Sequence, residues 1–348
     1  MKEFSEFKII NHLDRFQAVL RGELPLPVTA ELDPTNECNH RCPWCLDAHL
    51  RNGPPATMPA ELIFRLLDEL GSLGVKAVTV KGGGEPLVHP DIDQVLYRAR
   101  EAGLECGLIT NGELLEDHLE AVIDCCSWVR VSLAAATSQT HDLIQRPLAR
   151  DTFGKTLRGL SAVAPRVLTG LVMVVGRPNL GEMAEVARLG RDLGARYLAF
   201  KQAVLPGKHF TARELRAMED IYLAAKEELE TPTFQVMGSR VYQLGNGDEP
   251  QPYRLCKAHH LVAIVCADAG MYACCSTRGN QGFRYGSLKK QSFAQIWESK
   301  RRKQILAGID RGSCRALCLG RTSYMRYDHY NQLFDYLADP DKPHKDFL

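Results

Sequence analysis

Six short apolar runs, separated by amphipathic stretches, constrain this chain more than any other feature. They are VTAELD (28–33), KAVTVK (76–81), LECGLIT (104–110), WVRVSL (128–133), VLTGLVMVV (167–175) and YLAFKQ (197–202). Each is nearly continuous in apolarity. A strand wet on one face alternates apolar and polar residues, whereas a strand covered on both faces does not, so these runs read as a parallel sheet wrapped by helices. Between them, residues 59–74 place Leu62, Leu66, Leu67 and Leu70 on one helical face, and Gly74 supplies a stop. Comparable stretches cover 90–102, 114–125, 152–163 and 179–193, and a further helix is expected over 211–230. Repeated βα units of this kind predict an α/β fold, an open or partial (β/α)6 barrel, with its site at the C-terminal strand ends.

Length and charge narrow the rest. The chain has 348 residues, enough for one large α/β domain with an appendage. Residues 231–252, rich in Gly and Pro, read as a linker. The expected division is an N-terminal extension (1–27), the partial barrel (28–230), the linker (231–252), a small cysteine-rich module (253–325) and a C-terminal helix or tail (326–348). The net charge is +1, which gives no global attraction to nucleic acid or to an anionic membrane. No apolar run approaches the ~20 residues of a membrane span. The opening MKEFSEFKIINHLDRF lacks the apolar centre of a secretory signal. A cytoplasmic protein with neither a membrane nor a nucleic-acid partner is expected.

The chain carries 12 cysteines. A disulfide framework fits poorly in a long chain without a signal, and the cysteines cluster at metal-like spacings. DPTNECNHRCPWC follows the first strand and holds Cys38, Cys42 and Cys45. A zinc site with a distant fourth ligand is one reading. An iron–sulfur cluster held by three thiolates is another, and it leaves one iron open.

The C-x3-C-x2-C loop after the first strand, with Trp44 before its last cysteine, resembles the radical SAM superfamily. So do KGGGEPL (81–87) after the second strand and TNG (110–112) after the third. The resemblance runs over about 28–202. It implies a [4Fe–4S] cluster on Cys38, Cys42 and Cys45 whose open iron chelates S-adenosylmethionine (SAM). Reductive cleavage would then give a 5′-deoxyadenosyl radical that takes a hydrogen from the substrate. It further implies SAM contacts at Trp44, Gly83, Gly84, Glu85, Asn111 and Ser132, and a flavodoxin- or ferredoxin-type reductant. The sequence departs from the family at Ala134, where a polar residue usually follows "SL". Asn179, Lys201 and Gln202 are further candidate ligands, each equally well read as a cap or a solvated group. Asp47, His49, His141 and Arg177 lie near strand ends, and none is assigned an acid–base role.

Farther on, Cys256-x13-Gly270-x4-Cys275, the stretch 285–305, and Cys314-x3-Cys318 resemble SPASM/twitch extensions of that superfamily. The resemblance implies one auxiliary [4Fe–4S] cluster on Cys256, Cys275, Cys314 and Cys318, with Cys274 or Cys266 as alternatives and four-cysteine zinc as the competing reading. His259 and His260 read as a surface pair or as supports for the ligands. Cys106, Cys125 and Cys126 read as core thiols. Arg278, Arg284, Lys289, Lys290 and SKRRK (299–303) read as a solvated basic face.

No motif reports the substrate. The leading expectation is a sugar, aminocyclitol or nucleoside-type small molecule in natural-product biosynthesis. An alcohol carbon of that substrate would be oxidised, epimerised or decarboxylated. The alternatives are peptide modification (epimerisation, crosslinking or maturation) and a non-catalytic iron–sulfur protein. Only 27 residues precede the first strand, which is short for a leader-binding domain.

Overall fold

The structure, a computed structural model, describes residues 6–203, 210–238, 253, 256–310 and 325–338. Cys314 and Cys318 lie outside the described residues. The strands are β1 (Thr29–Leu32), β2 (Ala77–Val80), β3 (Glu105–Thr110), β4 (Cys126–Ser132), β5 (Leu168–Val175), β6 (Tyr197–Gln202), β7 (Gln235–Gly238), β8 (Val262–Val265), β9 (Gly270–Tyr272) and β10 (Arg284–Ser287). The helices are α1 (Leu13–Leu20), α2 (Ala48–Arg51), α3 (Ala60–Ser72), α4 (Ile92–Glu101), α5 (Leu119–Cys125), α6 (Ser138–Gln145), α7 (Thr152–Val163), α8 (Met183–Asp192), α9 (Ala212–Leu229), α10 (Phe293–Trp297), α11 (Lys300–Asp310) and α12 (Met325–Ala338).

The strands form one open sheet in the order β10-β9-β8-β1-β2-β3-β4-β5-β6-β7. All neighbours from β8 to β7 run parallel, and the β8–β9 and β9–β10 pairs are antiparallel. All six strands read from the sequence are present. Their outer face meets the helices. Ala30, Leu32, Val78, Val80, Leu108, Val129, Val131, Leu171 and Phe200 pack there with Leu62, Ile63, Leu66, Leu67 and Leu70 of α3 in one core. Full burial of a Leu or Ile side chain contributes roughly 1.5–3 kcal/mol, so α3 is held mainly by this face. Gly74, at φ +76°, ends its turn as expected.

The remaining assignments depart from the structure in three places. The linker read over 231–252 begins as a strand, because Gln235–Gly238 pairs in parallel with β6. The C-terminal cysteine-rich region continues the sheet of the barrel, since β8 pairs with β1. The helix read over 114–125 starts only at Leu119. The basic stretch is not uniformly solvated, as Arg302 is fully buried and Arg278 is 8% exposed. The N-terminal extension and the C-terminal helix meet, with Phe16 stacked on Phe334 at 3.9 Å. Among the described residues no helix is long and apolar enough to cross a membrane.

Candidate active site

The Cys38–Cys45 loop leaves the end of β1 and is laced to the glycine loop after β2. Gly84 N donates to Thr35 O (3.1 Å) and Glu85 N donates to Glu37 O (2.8 Å). A Cβ on Gly84 would stand 1.9 Å from the Glu37 carbonyl oxygen, so only glycine lets the two backbones meet. Glu85, 3% exposed, accepts from Leu87 N (3.2 Å), Thr110 Oγ1 (2.6 Å) and Asn111 N (2.7 Å). Burial raises its carboxyl to about 7 despite these donors. The three motifs read separately from the sequence thus share one hydrogen-bonded knot.

A second brace holds the far side of the loop. His40 Nε2 lies 2.8 Å from Glu113 Oε2, which also accepts from Asn39 Nδ2 at 2.8 Å. Asn111 is engaged at both ends of its amide, donating to Asn39 Oδ1 (2.7 Å) and accepting from Glu113 N (3.0 Å). Burial lowers His40 to about 4, so it is neutral at pH 7. Arg41 N donates to the carbonyls of Gln145 and Arg146 at the end of α6. No sequence signal pointed to this brace, because its members lie on three separate segments.

Cys38, Cys42 and Cys45 are each half-exposed. Desolvation raises their thiols, Cys38 to about 11 and Cys42 to about 12. They therefore stay protonated until a metal displaces the protons. Trp44 packs on Gly176, where a Cβ would lie 2.7 Å from the indole ring. Ser132 is half-buried at the end of β4. Asn179 is fully buried with its amide engaged at both ends: it donates to Ala134 O (2.7 Å) and Val174 O (2.9 Å) and accepts from Gly176 N (2.7 Å). Arg177 pairs with Glu214 at the surface, and His141 is buried.

The sheet face opposite the helices is polar and only half-buried. It carries Glu31, Lys81, Arg130, Ser132 and Lys201. Glu31 and Lys81 form an ion pair at 2.8 Å. The large rings Trp128 and Tyr197 lie over Gly107 and Gly170, where any Cβ would clash at 2.2 Å and 1.8 Å.

The second cysteine region lies beside β8–β10. Cys275 is buried, and Cys256 and Cys274 are half-buried. The Cys274 and Cys275 sulfurs are 3.7 Å apart. Asn331 of α12 donates to Cys256 Sγ at 3.5 Å. His259 and His260 are buried, not a surface pair, and their rings lie 4.3 Å apart. Arg302 stacks on Trp297 at 3.6 Å and donates to Trp297 O at 2.9 Å. Yet, among the described residues, both ring nitrogens of His259, Nδ1 of His260, and Nε and Nη2 of Arg302 have no hydrogen-bond partner. Buried N–H groups of Arg302 and of neutral imidazoles, in the same region as the thiols, suit an anionic, sulfide-rich group, so this donor set fits an iron–sulfur cluster. Cys266 is buried in an apolar cluster with Val262, Ile264 and Tyr272, and Cys106, Cys125 and Cys126 are core thiols.

A parallel sheet with a three-thiol loop at its carboxyl edge, and a second thiol region continuing that sheet, defines a two-centre iron–sulfur architecture. Residues 32–190 match the Radical SAM superfamily, and residues 256–319 match the SPASM iron–sulfur cluster-binding domain. The chain belongs to the radical SAM superfamily and is an enzyme of its SPASM-containing branch. That pair of domains implies a SAM-binding [4Fe–4S] cluster, auxiliary iron–sulfur ligation and SAM. Among curated relatives, the AdoMet-dependent heme synthase of Methanosarcina barkeri is 29% identical, covering 46% of this chain and 46% of its own length. The subtilosin biosynthesis protein AlbA of Bacillus subtilis is 26% identical, covering 51% of this chain and 40% of its own length. The chain thus spans less than half the length of these two. The mycofactocin maturase MftC of Mycobacterium ulcerans is 25% identical, covering 80% of this chain and 75% of its own length. The solved structure of Streptococcus suis SuiB bound to S-adenosylmethionine shares the fold, with TM-score 0.66 and 16% identity over 87% of this chain and 72% of that one.

Proposed function

We propose that this chain modifies a peptide by SAM-dependent radical chemistry. The observation that carries this reading is the similarity to a maturase over 80% of this chain and 75% of that relative. Relatives described as a PqqA peptide cyclase and a bacteriocin biosynthesis protein add to it. These relatives turn the reading away from the sugar, aminocyclitol or nucleoside substrate expected from the sequence. That expectation rested on the small number of C-terminal cysteines, which reports electron transfer and not substrate.

In this reading Cys38, Cys42 and Cys45 hold the SAM-cleaving cluster. The backbone at Gly83 and Gly84, together with Glu85, Trp44, Asn111 and Ser132, forms the SAM pocket. A cluster held there would supply the one electron for reductive cleavage of the SAM sulfonium, the source of a hydrogen-abstracting 5′-deoxyadenosyl radical. The protein's own part is placement. Glu85 is fixed by three donors and offers its carboxylate to the methionyl ammonium. Asn111 holds Asn39 and Glu113 so that the cysteine loop cannot drift. Trp128 and Tyr197 close off part of the inner sheet face, and Glu31, Lys81, Arg130 and Lys201 make that face polar. Cys256 and Cys275, with Cys314 and Cys318, hold one auxiliary cluster. A flavodoxin- or ferredoxin-type protein is the reductant.

The test uses the anaerobically reconstituted chain with SAM and dithionite. Short peptides encoded beside its gene are offered in parallel with an aminocyclitol and sugar panel. The proposal expects 5′-deoxyadenosine formation to rise with a peptide, and that peptide to change mass. Stimulation by the small molecules alone would overturn it.

A further inference from the structure

Arg278 touches both cysteine regions at once. Its Nε donates to the carbonyl of Cys275 (2.9 Å), Nη1 to Asp33 Oδ2 (2.9 Å) and Nη2 to Asp47 Oδ2 (2.9 Å). Its own carbonyl lies 3.1 Å from His49 Nε2. Asp33 ends the run that feeds the Cys38–Cys45 loop, and Asp47 lies just beyond Cys45. Arg278 and Asp33 are 8% and 1% exposed, so salt screens the pair little. Next to it, Gly279 adopts φ +77°, and a Cβ there would lie 2.7 Å from Leu50 Cδ2. Leu50 in turn stands 3.0 Å from the Cβ position of Gly83. Guanidinium and packing therefore join the turn after Cys275, the cysteine loop and the glycine loop. A planar fork addresses two carboxylates and a carbonyl together, and a lysine does not.

We propose that Arg278 is a positioning residue that couples the two regions. It holds the Cys274–Cys275 turn and the Cys38–Cys45 loop in one register, so that filling the auxiliary site alters the surroundings of the SAM-cleaving site. The proposal rests on the reading of both regions as cluster sites.

The experiment is a double-mutant cycle on the reconstituted full chain. Wild type, Arg278→Gln, Cys256→Ala/Cys275→Ala and their combination are compared. Iron is counted first. Then the EPR spectrum and midpoint potential of the reduced SAM-cleaving cluster are recorded with SAM present. The auxiliary contribution is subtracted using the Cys38→Ala/Cys42→Ala/Cys45→Ala variant. Emptying the auxiliary site is expected to shift that signal in the wild type. The shift is expected to be lost with Arg278→Gln and partly retained with Arg278→Lys. Asp47→Ala removes one of the two carboxylates that the guanidinium holds and is expected to reduce the shift, which keeps the test valid if Arg278→Gln misfolds. An equal shift in both backgrounds overturns the coupling, as does no shift in the wild type. If no iron depends on Cys38, Cys42 and Cys45, the cluster reading itself fails, and the iron count reveals this before any spectrum is taken.

Discussion

Around the Cys38–Cys45 loop the thiols are half-exposed, and the polar side chains that brace them, Glu85, Asn39, His40 and Glu113, are bonded within the protein. Around Cys256 and Cys275 one thiol is as accessible as those of the first loop and the other is buried. Among the described residues, buried imidazoles and a guanidinium leave five nitrogens without partners. The first region is braced by hydrogen bonds within the protein. The second leaves its donors waiting for whatever the thiols hold. This is the contrast expected between a proposed catalytic centre and a proposed electron store.

The strongest way to break that contrast is the triple variant Cys38→Ala/Cys42→Ala/Cys45→Ala. It should abolish 5′-deoxyadenosine formation while leaving the iron of the second region in place, as read by anaerobic iron analysis. Equal iron loss from both regions would mean they are not separate centres. Gly84→Ala should be nearly as damaging. A Cβ 1.9 Å from a carbonyl oxygen forces the two loops apart, at a cost of about 3 kcal/mol or more. Thermal melts and SAM titrations would detect both the destabilisation and the lost pocket.

Glu85 sharpens the comparison through pH. Burial raises its carboxyl from 4.5 to about 7, so the fold favours the protonated form. Its contribution is complete below pH 4.5 and is lost as pH rises through about 7, amounting to about 3 kcal/mol. His40 and His259, lowered to about 4 and about 3, act with the opposite sign in acid. They are common to wild type and Glu85→Gln, so they cancel in the difference. The wild type should lose Tm relative to Glu85→Gln between pH 5 and pH 8, and saturating SAM should restore it. Parallel curves for the two proteins would remove Glu85 from the proposed pocket. The smallest effect is expected from Arg302→Met. Removing a buried cation with orphaned donors should leave the metal-free protein unchanged or more stable by about 1 kcal/mol. The same change should weaken iron retention at the second region. Melts with and without reconstitution separate the two effects.

The sheet was legible because each of its first six strands is an apolar run bounded by helix and turn signals. β7 was not, because QVMG sits in a Gly/Pro-rich context and takes its strand form from pairing with β6. The cysteine loop, Gly84 and Glu85 were legible from local spacing. Arg278 and Arg302 were not, because a lone arginine among basic neighbours looks solvated until distant partners enclose it. In Arg278 those partners are Asp33 and Asp47, and in Arg302 they are Trp297 and Tyr285. The bonds around Asn111 and Asn179 were equally hidden, since each joins segments far apart in the chain.

The pairing of Thr29 with Val262 has a consequence for biosynthesis. During translation β1 can find β2 early, but its other edge stays open until β8 has left the ribosome. The segment that leads into the thiol loop is therefore an uncapped edge strand for most of synthesis, the state most prone to mispairing. A nascent chain arrested before β8 should need protection that the finished chain supplies for itself, and iron delivered before that point would meet a site with one wall missing.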